Sequence, residues 1–481
     1  MTTTLLPMAA DPPTIDPSAT AFMIICAALV LLMTPGLALF YGGMTRATSV
    51  LNMMMMSFGA MGVVGVVYVL WGYSMSFGGN DILGVLANPF DTFGLRGVAS
   101  TVDGLTKTVG SDGTPVVDVF GADVWIPEVL FAGFQLTFAI ITVALISGAV
   151  ADRVKFSTWM LFSALWVTIV YFPIAHMVWG GGVLSGAEGG IAAKLYGVTD
   201  GAATVAPIDF AGGTVVHINA GIAGLVLALV VGARLGFGRS AMRPHNVPFV
   251  MLGAGLLWFG WFGFNAGSEL AADGLASLVW VNTTVATCAG ILGWLLVERV
   301  RDGRATSIGA ASGIVAGLVA ITTACGSLSP LGSIVLGLGA GAMSALAVGL
   351  KFRFGVDDSL DVVGVHLVSG LWGTIGVGLL ATGSGLFYGG GIQQTVVQVV
   401  IAGSSLLISA LLTLAIAVTL QVTIGWRVSE EVEVSGIDGA EHAESGYDLV
   451  ARGGRIAAPG VQHVTPHPEA RTEATTEGAT A

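Results

Sequence analysis

Polar positions in this sequence are few and bunched, and the apolar runs between them have the length of membrane-crossing helices. About 20 predominantly apolar residues span a bilayer as a helix. On that basis the pattern predicts spans near 21–45, 51–77, 129–151, 157–179, 212–233, 247–268, 275–297, 308–325, 331–350, 363–381 and 396–426. The charge-free run 305–350 is too long for one helix, and Gly326-Ser-Leu-Ser-Pro330 divides it. The Gly-rich stretch Thr382–Gln394 divides 362–426 in the same way. The expectation is an all-α polytopic membrane protein of eleven transmembrane helices.

Composition agrees with that class. The 481 residues are 54% hydrophobic and only 10% charged, with 71 glycines, whereas soluble proteins carry roughly 25% charged residues. The net charge of −12 gathers in a loop, 79–128, and in the tail 428–481, so it gives no sign of nucleic-acid binding. Cys26, Cys288 and Cys325 all stand in apolar stretches and form neither a disulfide framework nor a CxxC pair. Residues 1–20 lack the basic start of a signal peptide. The run after them is read as the first membrane helix.

Lys and Arg fix the expected orientation. Alternate connections carry Arg46; Arg153 and Lys155; Arg234, Arg239 and Arg243; Arg299, Arg301 and Arg304; Lys351 and Arg353. The opposite side has only Arg96, Lys107 and Lys194. The amino end is therefore expected outside and the tail in the cytoplasm. Five spans followed by five more then run with opposite orientations, an inverted 5+5 repeat with one long C-terminal helix left over. The expected organisation is an outer segment 1–20, a transporter domain 21–427 (halves about 21–233 and 247–381, eleventh helix about 396–426), and a tail 428–481 disordered after about residue 459.

The candidate chemistry lies where each half closes. Asp209-Phe-Ala-Gly-Gly-Thr-Val-Val-His217 is followed by Gly221 and Gly224, and Asp361-Val-Val-Gly-Val-His366 by Gly370 and Gly373. Both read His-x-x-x-Gly-x-x-Gly, the spacing of one helix face. Only the distance from acid to His differs, eight residues against five. A single membrane His is most often a packing residue, but two in matching places mark a substrate or proton path. The glycines allow close helix approach, which would bring His217 and His366 together near the midplane, where inverted-repeat transporters place their sites. Asp209 is expected to cap its helix and shape the mouth, with Asp361 as its cytoplasmic counterpart; Asp361, Asp357 and Asp358 are all read as structural. Trp179, before Gly180–Gly182, is either an interfacial belt residue or a cation–π partner. His176 and the Met53–Met56 run are read as structural. No GxxxxGK[ST], HExxH or CxxC pattern is present, and no cofactor or metal is expected.

With these pieces placed, the chain resembles the ammonium transporter family (Amt/Mep/Rh), and within it the bacterial Amt branch. The resemblance runs from about Ala21 to Tyr447. It rests on Pro35-Gly-Leu-Ala-Leu-Phe-Tyr-Gly-Gly43, Ala175-His-Met-Val-Trp-Gly-Gly-Gly182, the Asp209–Asn219 string, Pro244-His-Asn246, Gly260-Trp-Phe-Gly-Phe-Asn-Ala-Gly-Ser268 and Asp361–His366. It implies a homotrimer in the cell membrane with one pore per subunit. Trp179, Phe138 and Ser268 match the family's outer site for ammonium or methylammonium, and Phe138 and Phe264 its stacked aromatic gate. His217 and His366 match the pore's twin histidines, and Asp209 the acidic residue behind the outer site. His442, Glu444 and Tyr447 resemble the ordered tail near which a PII signal protein docks, although Ala443 stands where Gly is expected.

The mechanism so implied is capture of NH4+, loss of a proton, and passage of NH3 into the cytoplasm through a dry twin-His pore, with the proton relayed alongside. Three other readings stay open at this point. They are a membrane haem protein with His217 and His366 as axial ligands, an ammonium sensor with little flux, and an ion-coupled symporter of another small solute.

Overall fold

The computed structural model describes residues 12–101, 108–118 and 123–447. The expectation of disorder after about residue 459 lies outside the described residues. Each apolar run forms a helix: α1 (Pro17–Met44), α2 (Val50–Phe77), α3 (Glu128–Val150), α4 (Phe156–Trp179), α5 (Gly213–Val231), α6 (Val247–Glu269), α7 (Gly274–Asp302), α8 (Ser307–Thr322), α9 (Pro330–Phe354), α10 (Val363–Leu380) and α11 (Gln393–Thr423). Ten are long and apolar enough to cross a membrane. The other, α8, has 16 residues and is almost wholly buried among its neighbours.

The helix starts follow from local chemistry. Asp16, Asn246, Asp273, Thr306 and Ser329 each accept a hydrogen bond from the backbone N–H three residues on, satisfying one of the free donors of a first turn. Proline stands in the first two positions of α1, α6 and α9, where its missing N–H is harmless. The connection 79–128 is partly built of short hairpins. Asp81–Ile82 pairs with Leu86–Ala87, and Val116–Asp118 with Trp125–Pro127.

The two halves meet through α1 against α6 and through α5 against α10. The second contact explains the repeated glycine spacing. A Cβ on Gly221 would lie 2.5 Å from the Leu367 backbone N, and one on Gly370 would lie 3.2 Å from the Ile218 N. Each glycine, four residues after its own His, thus receives the residue that follows the other His. Close packing of this kind is what small residues permit between membrane helices. The 31-residue α11 lies outside this symmetry and packs along α4, α5 and α10.

Both histidines sit on π-helical turns, Gly213–Ile218 and Val363–Leu367. The His217 N–H reaches Gly212 O at 3.1 Å, a five-residue span. The wider turn shifts the helix face by one residue, so the register before each His differs from that after it.

At the tail end of the bundle the acids of 428–447 act as caps. Asp438 accepts from the N–H groups of Leu51 (3.0 Å) and Asn52 (2.8 Å) at the start of α2, and Glu441 from that of Phe156 at the start of α4 (3.0 Å). His442 bonds Asn52 Oδ1 at 3.0 Å and Tyr447 OH bonds His245 Nε2 at 2.9 Å. Ala443, where the family resemblance leads one to expect Gly, has φ 55, the left-handed region that glycine enters most readily. Negative charge at a helix N-terminus is favourable. Asp438→Ala is therefore expected to lose about 1 kcal/mol and to speed hydrogen exchange at the Leu51 and Asn52 amides. Unchanged exchange there would mean the tail merely lies against the bundle.

Candidate functional site

Two cavities follow one another inward from the Trp179 end of the bundle. The first, of about 310 Å³, is lined among others by Phe138, Trp179, Asp209 and Ser268. The second is a narrow space of about 10 Å³ lined by Phe264, Trp261, Phe40, His217 and His366 with aliphatic side chains. That volume is about one water-sized sphere. Between them the rings of Phe138 and Phe264 lie stacked, 4.1 Å between centroids and 19° from parallel. Both are buried, so the aromatic pair separates the two spaces.

Trp179 meets Phe138 edge-on at 6.0 Å, and its Nε1–H donates to the Asp209 carbonyl at 2.9 Å. That bond holds the indole in the wall of the larger cavity instead of in a belt facing lipid. The Ser268 hydroxyl donates to Phe264 O at 2.8 Å, which leaves its lone pairs free to accept.

Asp209 caps α5. Its carboxylate accepts from the N–H groups of Gly212 (3.0 Å), Thr214 (3.0 Å) and Val215 (3.1 Å). Burial pushes its carboxyl up, to about 6, against the opposing pull of these N–H groups. At the other end of the bundle the counterpart is Asp358, and the assignment of Asp361 is corrected. Asp358 accepts from the N–H groups of Val362 (3.0 Å) and Val363 (2.7 Å) at the start of α10. Burial, with Asp361 close by, pushes it up to about 6 as well. Asp358 precedes His366 by eight residues, as Asp209 precedes His217. Asp361 matches Gly212 instead: both have positive φ, 62° and 107°. Its carboxylate pairs with Lys351 Nζ at 2.7 Å.

His217 and His366 face one another through Nδ1, 3.3 Å apart, with rings 16° from parallel. Only one of the two Nδ1 atoms can carry the shared proton. In a neutral pair the ring that donates has a bare Nε2, and the ring that accepts has an Nε2–H. The pair therefore offers one acceptor and one donor beyond the shared bond. His217 Nε2 is buried and has no hydrogen-bond partner among the described residues. With the two nitrogens this close there is no room for a porphyrin between them, which excludes axial haem ligation.

Trp261, which the spacing of motifs did not single out, stacks on His217 at 5.3 Å and 14°. Its Nε1–H donates to Thr322 Oγ1 at 2.8 Å, so the ring that flanks the histidine is itself held. His176 stands outside both cavities. Its Nδ1 faces Ser76 O at 3.0 Å and its Nε2 faces Asp81 Oδ1 at 2.8 Å. The contact ties the Asp81 hairpin to the end of α4.

Comparison with known proteins agrees with the resemblance read from the motifs. Residues 21–447 match the model of the Ammonium Transporter Family. The chain is 54% identical to an ammonium transporter of Mycobacterium tuberculosis, with 93% of each chain covered. It is 43% identical to one of Bacillus subtilis, covering 89% of this chain and 98% of that one. Among solved structures it is similar to Mep2 of Saccharomyces cerevisiae (31% identity, TM-score 0.71, 87% of this chain and 91% of that one). It is also similar to a protein described as a sensor Amt protein (26% identity, TM-score 0.74, 88% and 98%). The chain, a multi-pass membrane protein that transports ammonium and is not an enzyme, belongs to the ammonium transporter family.

Proposed function

We propose that the larger cavity captures NH4+ from outside the cell and that the narrow one conducts NH3 toward the cytoplasm. The observation that carries this reading is the Nδ1–Nδ1 contact of His217 and His366 at 3.3 Å, set behind a closed pair of Phe rings. Ammonium as an ion cannot cheaply enter a dry space. In the capture cavity the Trp179 face supplies cation–π attraction, Phe138 covers the ion, and Ser268 accepts one N–H. Asp209 fixes Trp179 and adds negative charge behind the site. After a proton is lost, NH3 passes between Phe138 and Phe264, which serve as the gate. At the twin histidines NH3, itself donor and acceptor, meets one of each, and the pair relays the proton. K⁺ has no proton to give up, so its charge stays with it at the dry constriction.

On this reading the protein works as a homotrimer in the cell membrane, amino end outside and tail in the cytoplasm. A PII signal protein is the partner proposed for the tail side. The expected result for Trp179→Leu is weaker capture with the fold intact. Loss of roughly 0.5–2 kcal/mol of cation–π attraction raises the half-saturating methylammonium concentration about 2- to 30-fold. Uptake at low concentration that matched the unmodified protein would mean that Trp179 only packs in the cavity wall.

A further inference from the structure

Helix α11 has no counterpart in the repeat, yet its buried face carries five polar side chains among apolar ones. Gln394, Gln398, Ser405, Ser409 and Thr413 are all 3% exposed or less. Polar side chains so deep in a membrane bundle need partners. Gln398 has them, two on the backbone of one residue and a third on α10. Its Oε1 accepts from the Ile208 N–H at 2.8 Å, and its Nε2 donates to Ile208 O at 2.7 Å and to Thr374 O at 3.2 Å. Gln394 adds a bond from Nε2 to Ala206 O at 3.0 Å.

These bonds fall on an irregular stretch just before Asp209. Partly buried backbone without helix or sheet needs partners for its N–H and C=O groups from elsewhere in the protein. The Gln398 amide supplies them as a neighbouring strand would, one donor and one acceptor on the same residue. Pro207, Ile208 and Asp209 line the larger cavity, and the next backbone carbonyl along, that of Asp209, holds the Trp179 indole at 2.9 Å. A side chain on the last helix therefore sets the position of the cavity wall through the backbone of Ile208.

We infer that Gln398, assisted by Gln394, is a positioning residue of the ammonium-capture cavity, acting on Trp179 through the Ile208–Asp209 backbone. The inference rests on the capture reading above. It gives α11 a part in substrate affinity beyond enclosing the bundle.

The test is initial-rate methylammonium uptake by the full-length protein in liposomes. Gln398→Met keeps the length of the side chain and removes its hydrogen bonds. It is expected to raise the half-saturating concentration about 3- to 10-fold, the scale of one to two lost hydrogen bonds, with little change in maximal rate. Gln394→Met loses the bond to Ala206 O and a longer one, 3.5 Å, to Gln398 Oε1, and should give about a twofold rise of the same kind; it decides the matter if Gln398→Met does not assemble. Ser409→Ala, which removes a bond from the same helix to Asn219 O, should leave half-saturation unchanged. In a Trp179→Leu background, Gln398→Met should add little, because the group it positions is gone. A fall in maximal rate alone, or a full additional loss in the Trp179→Leu background, would overturn the inference. If Trp179→Leu by itself left half-saturation unchanged, the capture reading would fall and this inference with it. If only the Gln398 and Gln394 variants were silent, the capture reading would stand and this inference alone would fall.

Discussion

Replacing either His217 or His366 by alanine is expected to abolish most ammonium-driven transport, and replacing both is expected to be scarcely worse. The geometry makes the pair one unit. The two Nδ1 atoms share a proton over 3.3 Å, so each ring dictates the tautomer of the other. The survivor of a single replacement keeps its ring but loses the partner that fixed its proton. A positioned proton-transfer group contributes about 10²- to 10⁴-fold, and the first replacement forfeits it for both. Effects should therefore be strongly non-additive. The narrow cavity, about 10 Å³ as it stands, also widens by the volume of a ring, so K⁺ flux is measured beside ammonium-evoked current in the same liposomes. A double mutant with near-normal, ammonium-selective current would mean that the two rings only pack.

The second large effect is expected just before α10, where the structure separates two neighbouring acids. Asp358 satisfies two buried N–H groups, and an orphaned buried donor costs about 1–3 kcal/mol. Asp358→Ala should therefore destabilise the protein by about 2–4 kcal/mol and disturb the turn that carries His366. Asp361 has a different task. Its pair with Lys351 is partly exposed and worth about 0–1 kcal/mol, while its φ of 62° suits glycine better than aspartate. Asp361→Gly should thus fall within about 1 kcal/mol of neutral. Thermal unfolding in detergent, with transport of the reconstituted variants, checks both. Equal losses at the two positions would show that the cap at Asp358 does not govern the helix start.

Much of the architecture was legible without coordinates, and the reason is that a bilayer turns fold into a problem of length. Gly326–Pro330 and Thr382–Gln394 were readable as breaks because a continuous apolar run could not fit one crossing, and α9 and α11 begin at Pro330 and Gln393. The His-x-x-x-Gly-x-x-Gly echo was enough to expect that two helices approach closely, since a glycine face has little other use. The structure added that the fit is reciprocal, Gly221 on Leu367 and Gly370 on Ile218.

What the tertiary structure alone decided were contacts between side chains far apart in the chain. Apolar spacing carries no record of which ring stacks on which. The family resemblance paired Phe138 with Phe264, but no pattern announced Trp261 on His217 or Gln398 on Ile208. The inner cap was missed for a subtler reason. Asp361 lay nearer the motif, whereas the equal eight-residue spacing that points to Asp358 gains meaning only once both stretches before the histidines are seen to turn through a left-handed residue, Gly212 and Asp361. The π-helical turns that follow shift the register of each His, and no 3.6-residue periodicity announces them. Hydrophobic length and capping are local properties that a sequence states directly. The facing of two rings or two caps is settled only by how the helices cross.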